Sequence, residues 1–174
     1  MGYKLLASAK SSDHSGSPGY YMEFTNIDQD YDDLLIKGWF VSNHSVGSIQ
    51  SILKLGTALN GYSRGWYSED GSTMSRQSDG SQRMTINSAG SSSGASWRDS
   101  IFECRIPRYT DTTYYKRSMN LSWQAHGSTY GSIEGTATLQ SNNTNAISAI
   151  QLQLNGGYSI VGDSQWWLYG IKNS

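Results

Sequence analysis

Residues 131–140 read GSIEGTATLQ, and this stretch carries the pattern that decides the fold. Apolar and polar residues alternate along it, with Ile133, Ala137 and Leu139 set against Glu134, Thr136, Thr138 and Gln140. Successive side chains of an extended chain point to opposite faces, so a period of two predicts a half-buried β-strand. A helix would need apolar residues at a period of 3.6, and that period hardly appears anywhere in the chain.

The same alternation continues on either side of this segment. Residues 150–154, IQLQL, alternate before the turn residues 155–157, and we expect this strand to neighbour the one at 131–140. In residues 100–109, SIFECRIPRY, the side chains of Phe102, Cys104 and Ile106 share one face. Pro107 lacks the N–H that a strand donates, so it predicts the end of that strand.

Residues 32–41, DDLLIKGWFV, are apolar more continuously, which predicts a central strand covered on both faces, with Gly38 allowing a neighbour to approach closely. Further strands are predicted at residues 3–8, 20–25, 48–55, 82–87, 114–124, 159–161 and 165–171, separated by clusters of Gly, Ser, Asn and Asp. This spacing of strands and turns favours one domain over residues 1–174, a single antiparallel β-sandwich of the jelly-roll kind.

The composition limits the classes of function. Only 16% of the residues are charged, but six Trp, twelve Tyr and three Phe supply enough buried area for a folded chain. A net charge of −1 gives no broad positive field, so we expect no nucleic-acid partner. Cys104 is the only cysteine, which excludes an intrachain disulfide. No apolar run suits a signal peptide or a membrane span, so we expect synthesis in a cytoplasm and no membrane partner.

Residues with catalytic or metal-binding chemistry form no recognisable site. His14, His44 and His126 sit in polar, turn-rich settings, and no GxSxG motif is present to supply a serine nucleophile. The acidic run at 27–35, IDQDYDDLL, lacks the glycine and glutamate of a calcium loop, because Asp33 and Trp39 occupy those positions. We therefore expect no enzyme, no cofactor and no metal. A small hydrolase remains an alternative that would need an unrecognised site built from a histidine or from Glu23, Glu69, Glu103 or Glu134.

Aromatic residues in turn-rich sequence are the candidates for contact with a ligand or partner. Residues 60–71, NGYSRGWYSEDG, contain four candidates, the aromatic Tyr62, Trp66 and Tyr67 together with Arg64. Alternation also turns one of Trp166 and Trp167 outward unless both faces of that strand are covered, and a covered second face would mean a subunit contact; we take Trp166 as the fifth candidate. In the competing interpretation, Trp66 and Tyr67 begin a strand and fill the core.

Four segments together resemble a group of small bacteriophage virion proteins. Those proteins begin with an LLAS-like strand, continue with F-x-x-I-x-x-x-Y-x-D-L-x-I, carry an I-P-x-Y turn and end in LYGI. The first segment here is GYKLLAS at 2–8, and the other matching residues are Phe24, Ile27, Tyr31, Asp33, Leu34 and Ile36, then Ile106, Pro107 and Tyr109, and finally residues 168–171. The resemblance spans nearly the whole chain in order, and residues 56–94 match least.

The resemblance implies a β-sandwich subunit on the outer surface of the virion. The favoured role is a capsid decoration or cement protein, a homotrimer that binds the major capsid protein and other copies of itself and stabilises the shell. The alternative role is a tail-fibre or adhesin module that binds a host receptor or a host-surface glycan. The sequence does not discriminate between head and tail.

Overall fold

The computed structural model describes residues 2–10, 21–42, 49–55, 61–68, 74–79, 84–91, 100–126, 130–141, 144–154 and 160–173. These described residues contain no helix and form twelve strands: β1 (Gly2–Lys10), β2 (Tyr21–Phe24), β3 (Asp33–Ser42), β4 (Ile49–Leu55), β5 (Gly61–Ser68), β6 (Met74–Asp79), β7 (Met84–Ser91), β8 (Ser100–Pro107), β9 (Arg117–His126), β10 (Tyr130–Ser141), β11 (Ile150–Leu154) and β12 (Ile160–Lys172).

The strands form two antiparallel arrays. The first runs in the order β1-β12-β3-β8-β9-β10-β5-β6, and the second in the order β2-β11-β4-β7. A short parallel pairing of β3 with β7, at Val41 with Gly90 and Ser42 with Ser91, joins the arrays into one hydrogen-bonded path. The prediction of an all-β, antiparallel fold is confirmed for the described residues.

The core lies along one face of the first array. Every second residue of β8 and of the middle of β12 is fully or almost fully buried, namely Phe102, Cys104, Ile106, Ser164, Trp166 and Leu168. Strands of the second array bury Met22, Phe24, Ile150 and Leu152 in the same cluster. The rings of Phe24 and Trp166 stack with their centroids 4.2 Å apart, so β2 packs directly on β12.

Strand β3 has the central position that its sequence predicts. It pairs with β12 on one side and with β8 on the other, and Leu34, Leu35 and Ile36 are all buried. A Cβ atom at Gly38 would lie 2.7 Å from the carbonyl oxygen of Gln165, which confirms that this glycine admits a close neighbour. Strand β8 ends at Pro107, also as predicted.

Two sequence-based expectations are wrong. Strands β10 and β11 are not neighbours, because β10 pairs with β9 and β5 whereas β11 pairs with β2 and β4. The segment before β11 is bonded to the turn after β8, because the Ile147 amide donates to the Tyr109 carbonyl at 3.0 Å. Strand β6 was not predicted, because MSRQSD has no apolar alternation and its extended backbone follows from pairing with β5.

Candidate contact surface

The residues that carry the family resemblance converge at one end of the sheet, and we call Ile27, Tyr31, Asp33, Tyr109 and Gly170 the joint. Asp33 is nearly buried, and its carboxylate accepts hydrogen bonds from Arg105 Nη2 at 2.5 Å and from the Arg108 amide at 3.0 Å. The Asn173 side chain donates a further bond at 3.3 Å. Burial alone would raise the pKa of Asp33, but these bonds together hold it below its ordinary value.

The turn after β8 is fixed by the other members of the joint. Arg108 has a φ of 50°, a left-handed conformation that its amide bond to Asp33 holds in place. Next to it, the fully buried Tyr109 donates its hydroxyl hydrogen to the carbonyl of Asp28. The Ile27 amide donates to the carbonyl of Ser148 at 3.0 Å, which ties the turn after β2 to the segment before β11.

Tyr31 and Gly170 complete the joint by direct packing. A Cβ atom at Gly170 would overlap the ring of Tyr31, so only glycine leaves room for the ring at this point of β12. All five members of the joint thus position backbone or fill space. The I-x-x-x-Y-x-D, I-P-x-Y and LYGI patterns therefore report how the chain folds.

The acidic loop forms the solvated turn that its sequence favours. Asp28 and Asp30 are exposed, and the Asp30 amide donates to Asp28 Oδ1 at 3.0 Å. Asp32 accepts a bond from the Asn173 amide at 2.7 Å. Across the part of the chain that the structure describes, no group of three or more His, Cys, Asp or Glu side chains is placed to hold a metal ion.

The opposite face of the first array carries exposed apolar residues, and we call it the outer face. It comprises the residues of β1, β12, β3, β8 and β9 that point away from the core: Tyr3, Leu5, Leu35, Lys37, Trp39, Ile101, Glu103, Arg105, Met119, Leu121, Trp167 and Tyr169. Tyr3, Leu5, Ile101, Met119 and Leu121 are 50–68% exposed. Trp39, Trp167 and Tyr169 are half-buried.

Strand pairing arranges these residues in rows that cross the sheet. One row runs Trp167, Lys37, Glu103, Leu121, and the next runs Tyr169, Leu35, Arg105, Met119. A third row begins Gln165, Trp39, Ile101. Five strands at about 4.8 Å spacing make the face roughly 20 Å wide, and rows about 7 Å apart make it of similar height. The whole face therefore covers roughly 400 Å², and its several exposed apolar side chains make it a candidate contact site.

In strand β9 the usual arrangement of side chains is reversed, because a polar residue faces the core and apolar residues face outward. Ser118 points inward and is buried, whereas Met119 and Leu121 point outward and are 68% and 57% exposed. Pattern reasoning assigns the apolar side of a strand to the core, so Met119, Leu121 and Ile101 were not predicted as contact residues. The signal that could have found them is the pairing with β8, where Cys104 and Ile106 already define the inward phase.

Charges on the outer face are few and paired, Lys37 with Glu103 and Arg105 with the nearly buried Asp33. Lys37 Nζ lies 2.9 Å from Glu103 Oε2, and both side chains are half exposed. The hydrogen bond to Glu103 raises the pKa of Lys37 above its ordinary value. The Trp39 and Trp167 rings lie edge to face with centroids 5.0 Å apart, which gives the face a rigid aromatic block next to the ion pair.

The predicted contact residue Trp166 lies elsewhere. It has no exposed surface, because its ring stacks on Phe24 in the core, so the prediction is wrong for this residue. Its neighbour Trp167 is the one that faces outward. Trp166 Nε1 has no hydrogen-bond partner within the described part of the chain.

The other four predicted contact residues, Tyr62, Arg64, Trp66 and Tyr67, lie on β5, with side chains outside the described part of the structure. Backbone pairing joins Trp66 to Gly135 and Gly135 to Leu121, so position 66 continues an outer-face row. Tyr67 pairs with Glu134 in the adjacent register.

The remaining residues considered for a catalytic site lie on different strands or outside the described residues. Cys104 is fully buried and burial raises its pKa to about 12, as befits a small core residue. Glu23 lies on β2 and Glu103 is paired with Lys37 on β8. His126 and Glu134 lie on β9 and β10 with side chains outside the described set, and the described residues do not include His14, His44 or Glu69.

A small cavity lies between the first strand and the turn after β2. Its volume is about 200 Å³, and its lining includes Leu5, Ala7, Phe24, Asn26 and Leu168. Ligand pockets commonly enclose roughly 300–1,000 Å³, so this cavity suits a single side chain better than a cofactor.

The loop between β8 and β9 presents two adjacent tyrosines. Tyr114 is 64% exposed and Tyr115 48%. Asp111 Oδ1 accepts a bond from the Thr113 amide at 2.6 Å, and buried Lys116 donates to the Asp111 carbonyl. The loop is therefore held in shape around its exposed rings, as contact tyrosines often are.

Comparison of the chain with protein-family models, with curated proteins and with solved structures finds no significant match. Among the described residues, no helix has the length and hydropathy needed to cross a membrane.

Proposed function

We propose that this chain is a structural protein of a bacteriophage virion that works by binding, as a capsid decoration or cement protein on the outer surface of the particle. Its partners are the major capsid protein and further copies of the chain. The observation that carries the proposal is the outer face, where Tyr3 and Leu5 on β1 and Ile101, Met119 and Leu121 on β8 and β9 are exposed towards the two sides of one sheet face. The resemblance of four chain segments to small virion proteins is the reason for proposing a bacteriophage particle.

The proposal includes a β-sandwich, in which the two arrays are the two layers. Stacking of Phe24 on Trp166 supports it, because these rings come from strands of different arrays. The shared core cluster supports it as well, since Ile150 and Leu152 of one array are buried together with Phe102 and Cys104 of the other. Inner faces of a sandwich interdigitate in this way, about 10 Å apart.

Burial of the outer face would favour assembly on a particle for a simple energetic reason. Apolar surface removed from water contributes about 25 cal/mol per Å², and a surface with balanced charges adds little desolvation cost. A shell also presents many equivalent sites, so modest contacts act together. The two exposed tyrosines, Tyr114 and Tyr115, offer a second contact at the end of the sheet.

Imaging of the purified parent particle tests the proposed location. We expect density for the chain at regular positions on the outside of the head. Density confined to the tail, or no density for the chain, would contradict the decoration role.

Binding of the purified chain to particles that lack it tests the surface. Met119→Lys combined with Leu121→Lys should reduce the number of bound copies strongly, because both changes put charge on the apolar rows. Thr25→Lys is the matched control, since Thr25 is exposed outside the outer face. Equal loss of binding in the control variant and the outer-face variant would remove the outer face from the proposal.

A second candidate function is recognition of a host-surface glycan by a tail-fibre or adhesin module. The half-exposed aromatic rings of Trp39, Trp167 and Tyr169 favour it, because sugar rings stack on flat aromatic surfaces. The purified chain should then bind host cells or a glycan array, and Trp167→Ala should abolish that binding. Binding to neither, with Trp167→Ala affecting particle assembly instead, would exclude this candidate.

A further inference from the structure

The arrangement of charged residues on the outer face favours one kind of binding partner. Lys37 and Glu103 face each other across β3 and β8, one positive and one negative, near the centre of the apolar rows. Apart from Arg105, which is paired with Asp33, the face carries one charge of each sign side by side, and such a surface is complementary to a copy of itself. Unlike this surface, a patch of one sign would need a partner of the opposite sign.

We propose that the outer face binds the outer face of a second copy of this chain through a two-fold axis. The axis lies between the two faces, runs parallel to the strands and passes midway between β3 and β8. This inference rests on the proposed function and specifies which of its partners covers the outer face.

The rows fix the register of this pair. Rotation about that axis places Lys37 of each copy over Glu103 of the other, because these residues stand at the same height on neighbouring strands. An axis running along the row, at right angles to the strands, would place Lys37 over its own counterpart, and like charges in contact are strongly unfavourable. The charges therefore select the axis that is parallel to the strands.

The apolar residues agree with the same axis. In the row that holds the ion pair, Trp167 of one copy meets Leu121 of the other, and in the adjacent row Tyr169 meets Met119. Contacts of sulfur with an aromatic ring and of aliphatic groups with an indole are both favourable. Trp39 meets Ile101 in the third row. Leu35 of one copy meets Arg105 of the other, whose guanidinium stays paired with Asp33, and each remaining outer position named here has an apolar or oppositely charged counterpart, as an isologous interface requires.

The extent of the surface suits a pair of sheets. A stable interface buries about 800 Å² per partner, roughly twice the flat area of the five strands that carry the outer face. The row through Leu121 continues by backbone pairing to Gly135 on β10 and Trp66 on β5, so the sheet supplies additional width in that direction. The resemblance implies a trimer, whereas the ion pair and the rows favour a two-fold pair.

Sedimentation of the purified chain across a concentration series is the first test. We expect the mass of a dimer. A chain that stays monomeric while still binding to particles would overturn this inference and leave the proposed function intact. A trimer whose mass does not respond to outer-face substitutions would also overturn it.

Charge reversal identifies the residues that meet across the axis. Lys37→Glu and Glu103→Lys should each raise the dimer dissociation constant roughly a hundredfold, because each puts two like-charged pairs into the interface. An equimolar mixture of the two single variants should form a mixed dimer, since each copy then supplies the charge that the other lacks. An intrachain ion pair cannot produce this rescue, so no gain on mixing overturns the inference.

Three controls accompany the charge reversals. The double variant Lys37→Glu with Glu103→Lys should dimerise like the original chain, and Asp30→Lys, an exposed charge reversal outside the outer face, should not change the mass. Leu121→Lys should also dissociate the dimer, because it puts a charge into the apolar part of the interface and leaves the ion pair unchanged. Near-ultraviolet circular dichroism checks that each variant is folded, and a folded Leu121→Lys chain that remains dimeric counts against the proposed face.

Discussion

The joint and the outer face both include residues of β3 and β12, but the first region is largely buried and the second carries exposed apolar side chains. At the joint, Asp33 and Tyr109 are buried, and the Asp33 carboxylate and the Tyr109 hydroxyl both have hydrogen-bond partners in the chain. On the outer face, Met119 and Leu121 are more than half exposed. Stability is concentrated in the first region and the capacity for contact in the second.

The difference between the two regions shows what the sequence patterns that resemble virion proteins can predict. Most pattern residues lie in the joint or the core, where they set turns and close packing. The exposed residues of β8 and β9, Ile101, Met119 and Leu121, belong to none of the patterns. A resemblance built on the joint thus predicts architecture, and the partner must be inferred from the outer face.

The largest expected effect on the free energy of unfolding comes from the core beneath both regions. Trp166→Ala should cost about 4 kcal/mol, because a fully buried ring and its stacking on Phe24 are lost. Trp166→Phe keeps a ring and removes an N–H that has no partner among the described residues, so its loss should be much smaller. Urea unfolding measures both, and equal losses would contradict the packing that we describe.

Asp33→Asn tests the joint and should cost about 2 to 3 kcal/mol, since the charge-assisted bonds to Arg105 and the Arg108 amide are weakened. The exposed Asp30→Asn is its matched control. A comparable loss in the control would remove the special role of Asp33.

The same substitution changes the dependence of stability on pH. The pKa of Asp33 is lowered in the folded chain, so its contribution is present above the unfolded-state pKa of about 3.9 and is lost as the pH falls through the folded-state pKa. Acidification below about pH 4 should therefore destabilise the original chain more than Asp33→Asn. Parallel acid titrations followed by tryptophan fluorescence measure the difference.

Gly170→Ala should cost about 1 to 2 kcal/mol, because the new methyl group overlaps the ring of Tyr31 and the half-buried ring must move. Gly2→Ala is the control, since a Cβ atom there meets nothing within 4 Å. Thermal unfolding compares the two variants, and an unchanged melting temperature for Gly170→Ala would mean that the ring does not lie on this glycine.

The smallest effect on the free energy of unfolding is expected for a substitution on the outer face. Lys37→Ala should change the free energy of unfolding of the isolated chain by about 0.5 kcal/mol or less, because an exposed ion pair contributes little. Chemical denaturation at a concentration where the chain is monomeric measures it. A large loss would move Lys37 from the contact surface to the structural part of the molecule.

Alternation and the continuous apolar run of β3 predict an all-β fold, and ten of the twelve described strands overlap a predicted strand region. Pairing partners do not follow, as β10 and β11 illustrate, because the connection between them is set by bonds to Tyr109 and Ile27 that link distant parts of the chain. The outer face was missed for the same reason. Only the register with β8 reveals that Met119 points away from the core.

Strand β12 lies between β1 and β3, and this order has a consequence for biosynthesis. Leu35 finds its partner Tyr169 only after strands β4 to β11 have been synthesised. Until then β1 and one edge of β3 carry unpaired amides and carbonyls, which can pair with other chains. Closure of the sheet must be a late, non-local event. When the chain is synthesised rapidly, intramolecular closure of the sheet therefore competes with association of nascent chains.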